Sequence, residues 1–232
     1  MSDRIRKTFE KKEKKIVTFT TGGDPDLETS LKILNTIINN GIDIIEIGMP
    51  FSDPMADGPT IQESSVRSIA SGTKINDILE TVNKVRKINN EIPIILMGYY
   101  NSIFNIGIKN FTSKCADVGV DGLIIVDLQP EEDLELYKET KEKNIDLIRL
   151  VTPTTNKERL KTILKTASGF LYYVTITGVT GQNSANIEHL RESITTIKSS
   201  TELPVVAGFG IKNRKDVEQI SIFTDGVVVG SS

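Results

Sequence analysis

The sequence predicts an α/β chain folded as a (β/α)8 barrel, and two observations carry that prediction. Eight short, β-branched apolar runs recur along its 232 residues, and stretches with helical spacing separate them. The runs are residues 16–20, 43–48, 94–98, 122–127, 146–151, 170–175, 204–208 and 225–230. Apolar side chains on successive positions mark parallel strands covered on both faces. A parallel pair needs a crossover, and a strand–helix repeat supplies one each time. Eight such units fit a closed barrel better than an open sheet. One domain spanning 1–232 is expected at this length.

The helical stretches follow in order. Residues 3–14 read as an extra amphipathic helix before the first strand. Leu27, Leu31, Leu34 and Ile38 share one face behind Asp24-Pro25, read as a cap and first-turn proline. Ile75, Ile78, Leu79, Val82 and Val85 repeat the pattern, and 111–118 reads as a helix around Cys115. Weaker versions lie at 131–143, 156–166, 187–198 and 214–222. The final outer helix is missing, because the sequence stops at Ser232, just past the eighth run. The natural chain is expected to continue, since uncovering that seam forfeits much apolar burial. A protein truly ending there is expected to bind phosphate weakly and turn over slowly.

Composition narrows the function classes. A net charge of −3 argues against a nucleic-acid or anionic-membrane partner. One cysteine cannot form an internal disulfide, which fits a reducing cytoplasm, and Cys115 reads as a small buried hydrophobe. The charged N-terminus lacks a signal-peptide core, and no apolar run approaches a membrane span. With one histidine and one cysteine, a metal site would need mostly carboxylates, and no such cluster is visible. His189 reads as a solvent-facing helix residue.

In a barrel of this kind, chemistry sits in the loops after the strands. Glu46 interrupts an apolar central strand, and a buried carboxylate must be paired, hydrated or protonated. It is either a structural group satisfied by a lysine or hydroxyl, or a catalytic acid/base. The following loop, 50–60, carries Asp57 between turn-forming prolines and a glycine; it too is either a turn former or a second carboxylate facing Glu46. Glycines at Gly178, Gly181, Gly208, Gly210 and Gly230 follow the last three strands, where phosphate sites recur in this fold. Tyr99, Tyr100, Tyr172, Tyr173 and Phe209 lie at or beside strand ends and suit a flat apolar ligand.

These pieces together resemble the tryptophan synthase alpha subunit family. The resemblance rests on Thr21-Gly22-Gly23-Asp24-Pro25, the long segment from Glu46 to Gln62, Met97-Gly98-Tyr99-Tyr100-Asn101, residues 122–128, Gly178-Val179-Thr180-Gly181 and Gly208-Phe209-Gly210-Ile211. It covers the whole chain in order, and the second segment is its most specific part. It implies a TIM barrel that splits indole-3-glycerol phosphate into indole and glyceraldehyde 3-phosphate by a retro-aldol reaction. It implies Glu46 and Asp57 as catalytic carboxylates, and Gly181, Gly210, Gly230 and Ser231 around the substrate phosphate. Phe19, Tyr99, Tyr172 and Phe209 would border the indole pocket, with Asp127 and Thr180 ordering the loops near Asp57. No cofactor is implied in this chain; pyridoxal phosphate belongs to a beta-subunit partner in an α2β2 complex, which receives indole through a tunnel. Gly22 stands where the family commonly has alanine, and is expected to add only local flexibility.

Three rival readings remain at this stage. Another phosphate-binding barrel, such as indole-glycerol-phosphate synthase or a sugar-phosphate isomerase, would want a lysine at the barrel mouth, and the runs offer one only near the start of the first. A non-catalytic activator of the beta subunit and a free-standing indole lyase are the others.

Overall fold

The computed structural model describes residues 1–175, 184–208, 211 and 213–230, with only the backbone given for 184–187. Its elements are α1 (Asp3–Glu10), β1 (Lys15–Thr21), α2 (Leu27–Asn39), β2 (Ile44–Gly48), α3 (Pro59–Ala70), α4 (Ile75–Ile88), β3 (Ile94–Gly98), α5 (Tyr100–Ile106), α6 (Ile108–Val118) and β4 (Gly122–Ile125). There follow α7 (Leu134–Glu142), β5 (Asp146–Leu147), β6 (Arg149–Val151), α8 (Lys157–Leu164), β7 (Leu171–Val174), α9 (Ser184–Lys198), β8 (Val205–Gly208), α10 (Arg214–Ser221) and β9 (Gly226–Val229).

The strands form one parallel sheet in the order β5-β4-β3-β2-β1-β9-β8-β7-β6. The sequence predicts eight strands, and the ninth arises because the fifth run is divided at Ile148. Its first half pairs with β4 and its second with β7, so one chain segment closes the ring. Ile148 itself donates its amide to Leu123 O at 3.0 Å. The architecture is therefore a TIM barrel, as the strand–helix repeat predicts.

Alternation along each strand sorts the side chains into two layers. Val17, Ile44, Ile95, Ile124, Ile148, Tyr172, Val206 and Val228 cluster inside the barrel, and Ile5 of α1 plugs its lower end, fully buried. Outside, Ile45, Ile47, Leu96 and Leu123 meet α4 and α6 through Ile78, Val82, Phe111 and Cys115. Cys115 is thus a buried small hydrophobe, as expected. His189 is exposed on α9, also as expected.

Carboxylates organise the lower, N-terminal ends of the strands. Asp43 accepts the amide of Ile16 at 2.9 Å, Asp121 that of Ile94 at 2.9 Å, and Asp225 that of Val205 at 2.8 Å. Each aspartate thereby caps the first free N–H of the preceding strand, and each has a basic partner in Lys15, Arg86 or Lys198.

Three expectations need correction. The N-cap of α2 is Asp26, whose carboxylate accepts Thr29 N at 2.8 Å; Asp24 instead forms a two-point ion pair with Arg67 of α3. The helix opening at residue 3 stops at Glu10, before the charged run that leads into β1. Two helices, α3 and α5, were not foreseen, because α3 turns serines inward and α5 begins straight after a strand without a side-chain cap. Gly22 is closely packed: a methyl there would sit 2.5 Å from Ile78 Cδ1 and 3.0 Å from Ile47 Cγ2, so an alanine would need the Ile78 side chain to shift.

Candidate active site

β2 carries Glu46 on the same face as Ile44, inside the barrel and near its upper end. Register places it across from Phe19 on β1 and Ile95 on β3. The carboxyl is 1% exposed, and its Oε1 has no hydrogen-bond partner among the described residues. A structural carboxylate satisfied by lysine or hydroxyl does not fit that oxygen. Burial, and then the negative charge of Asp57, push the Glu46 pKa up to about 8. The shift favours the protonated carboxyl at neutral pH.

The loop between β2 and α3 delivers the second carboxylate. It is wound tightly, with Met55 N donating to Asp53 O at 2.9 Å and Asp57 N to Pro54 O at 3.0 Å. The Tyr99 hydroxyl, just beyond β3, fixes its tip: it donates to Asp57 Oδ2 at 3.2 Å and accepts Ala56 N at 3.0 Å. Burial raises the Asp57 pKa, and the bond from Tyr99 opposes the rise. Tyr99 is 3% exposed and stacks on Phe51 of the same loop, with centroids 5.1 Å apart. Sequence reasoning missed Phe51, although an aromatic beside a proline in a strand-end loop was a usable signal. It also missed Gln62, whose Nε2 donates to Asp57 O at 2.9 Å.

Tyr172 comes from β7 on the far wall of the barrel. Its hydroxyl presses on Gly208, where an added methyl would lie 2.2 Å from the oxygen, so only glycine leaves the ring its place. Burial, then the charges of Glu46 and Asp57, raise the Tyr172 pKa; the three acidic groups face one space. Phe19 lies beside the backbone of Gly230 at the end of β9. Asp127, after β4, accepts Tyr100 N at 2.8 Å and so ties that loop to the start of α5. Thr180, Gly181, Phe209, Gly210 and Ser231 lie outside the described residues.

Two carboxyls of unlike environment thus meet above an apolar barrel interior. One is buried, with its Oε1 unpartnered among the described residues and its pKa raised to about 8; the other is hydrogen-bonded by a phenol. Such divergence allows one group to donate a proton while the other stabilises charge. No group of three or more His, Cys, Asp or Glu that could hold a metal occurs among the described residues, nor a helix long and apolar enough to cross a membrane.

The family model for the tryptophan synthase alpha chain matches residues 5–232. The chain belongs to that family. The tryptophan synthase alpha chain of Citrifermentans bemidjiense is 47% identical over 232 residues, which is the whole of this chain and 86% of that relative. The crystal structure of tryptophan synthase subunit alpha from Legionella pneumophila superposes with a TM-score of 0.91 at 36% identity, covering 100% of this chain and 87% of that one. A Mycobacterium tuberculosis tryptophan synthase structure gives a TM-score of 0.91 at 30% identity, over 100% of this chain and 90% of its own. The chain is therefore a lyase subunit, and the reaction is cleavage of indole-3-glycerol phosphate. Membership in the alpha family also implies a beta-subunit partner.

Proposed function

We propose that Glu46 and Asp57 perform this cleavage, as general acid/base and as electrostatic stabiliser. The observation that carries the proposal is the buried Glu46 carboxyl, unpartnered at Oε1 and pushed up to about 8, facing a hydrogen-bonded Asp57. Protonated Glu46 donates to indole C3, making the ring cationic and an electron sink. Its carboxylate then takes the proton from the side-chain hydroxyl next to the breaking bond. As the C3–side-chain bond breaks, its electron pair returns to the ring and the hydroxyl carbon becomes the aldehyde of glyceraldehyde 3-phosphate. The net proton movement is from hydroxyl to C3, and Glu46 ends as it began. Asp57, held by Tyr99, accepts the indole N–H and stabilises the ring while it is positive.

Around that pair, Phe19, Tyr99, Tyr172 and Phe209 border the indole, and Gly181, Gly210, Gly230 and Ser231 hold the phosphate. Asp127 and Thr180 order the loops beside Asp57. The bond from Tyr100 N to Asp127 supports the first of these two roles. The whole chain acts as one domain in the cytoplasm, without a cofactor of its own. Its partner carries pyridoxal phosphate and receives indole within an α2β2 complex.

Indole release by the purified chain, with and without a beta subunit, tests the reading against Glu46→Gln. A loss of about 10²–10⁴-fold in kcat is expected, the range of a missing acid/base group. Undiminished release by Glu46→Gln would assign the proton transfers elsewhere. Activation of the partner without any indole release would favour a purely regulatory role.

A further inference from the structure

The helix that follows Asp57 is attached to the barrel in an unusual way. α4 docks through Ile78, Leu79, Val82 and Val85, all buried, whereas α3 buries Ser64, Ser65 and Ser68 and leaves Val66 63% and Ile69 42% exposed. Apolar contact with the core therefore does little to fix α3. Directional bonds to the end of β1 take its place. Ser64 Oγ and Thr21 Oγ1 are 2.5 Å apart, both groups buried. Ser68 Oγ donates to Gly22 O at 2.7 Å. Arg67 closes the set with two bonds of 2.8 Å to Asp24.

We infer that Ser64 and Ser68 are positioning residues for Asp57, acting by locking α3 to the end of β1. α3 begins at Pro59, two positions after Asp57, with a Gly58 N-cap that has no side-chain bond of its own. Gln62, in its first turns, holds the carbonyl of Asp57. Any translation or rotation of α3 is therefore passed to the Asp57 backbone. A greasy face tolerates a small slide, because dispersion and burial are not directional. Hydrogen bonds to fixed acceptors weaken steeply with misalignment and set both axial position and rotation.

The anchoring strand is also the one that meets Glu46. β1 pairs Phe19 with Glu46 and Thr21 with Gly48. One strand thus carries the reference points for both carboxylates: its pairing with β2 places Glu46, and the Thr21–Gly22 turn places the helix behind Asp57. The separation of the two groups is set through β1 instead of by the intervening loop alone. This inference rests on the proposed role of Asp57.

The test compares Ser64→Ala/Ser68→Ala with the unaltered chain in cleavage of indole-3-glycerol phosphate, each assayed as the full chain with a beta subunit present. The double substitution should lower kcat about tenfold or more while KM moves less than about twofold, the behaviour of a mispositioned reacting group. Ser64→Thr keeps a hydroxyl and should retain activity. The deciding readout repeats the double substitution in an Asp57→Asn background by single-turnover assay. If the serines act through Asp57, they cost little more there, because the effects are coupled. An equal fold-loss in both backgrounds, or no loss in the native one, would overturn the inference. Undiminished activity of Asp57→Asn itself would instead overturn the underlying reading of Asp57. Should the double variant fail to fold by circular dichroism, Ser64→Ala alone carries the same comparison.

Discussion

The two ends of this barrel treat buried charge in opposite ways. At the lower end Asp121, 1% exposed, accepts from Ser2 Oγ at 2.7 Å, Arg4 Nη1 at 3.1 Å, Arg86 Nη2 at 2.5 Å and Ile94 N at 2.9 Å. Beside it Asp146, also buried, accepts the amide of Ser2 at 2.7 Å. At the upper end Glu46, equally buried, has an oxygen with no partner among the described residues. The same desolvation cost is met by ion pairs and amides below and by retention of a proton above. The lower end is built to persist, and the upper end holds the group proposed to react.

That contrast is open to test from its largest consequence down. Asp121→Ala should destabilise the fold by about 3–5 kcal/mol, because it strands Arg86 inside the protein. Burial already pulls the Arg86 pKa down to about 10, with Asp121 opposing. Urea unfolding would read the loss, and activity per folded molecule should be unchanged, since no bond of Asp121 reaches the upper loops.

Glu46→Gln should do the reverse, stabilising the fold at a cost in activity. The native carboxyl has a pKa raised to about 8 from the ordinary 4.5, so the folded state binds the proton more tightly than the unfolded one. Stability is then untouched below the unfolded value and falls as pH climbs through the window up to about 8. Removing the carboxyl should recover on the order of a few kcal/mol at the top of that window and nothing at pH 4. Thermal melts of both proteins across the range would show a gap that widens with pH; a constant gap would mean Glu46 titrates alike in the folded and unfolded states.

The smallest effect concerns Tyr99. Tyr99→Phe removes the bond to Asp57 and the acceptor for Ala56 N while the stack on Phe51 remains. About 1 kcal/mol is at stake, so kcat should fall severalfold with a folded, stable protein. The Asp57 pKa should rise further, because the one opposing contribution is gone.

Much of this was legible in the residues themselves. The continuous apolar runs announced parallel strands, and the one misjudged run, 146–151, divides because its halves serve different neighbours. That division depends on barrel closure, which no local window contains. Glu46 stood out as an acid in an apolar strand, and the structure buries it there. Asp57 was harder, since nothing in a turn-forming loop separates a structural aspartate from one aimed at a cleft by a distant tyrosine. α3 escaped notice because periodicity searches look for apolar faces, and its inward face is Ser64, Ser65 and Ser68. The glycine clusters after the last three runs pointed to phosphate by their position, and the resemblance to a known family narrowed that expectation to Gly181, Gly210, Gly230 and Ser231.

The most direct test of the account is the protonation state of Glu46 itself. A carboxyl-selective ¹³C NMR titration of the intact chain, compared with Glu46→Gln, isolates its resonance. A group still protonated at pH 7 that titrates near 8 is expected, in line with a buried carboxyl whose Oε1 has no partner among the described residues. A resonance that has already titrated by pH 5 would mean an ionised Glu46 at neutral pH, and would contradict its proposed role as the proton donor to indole.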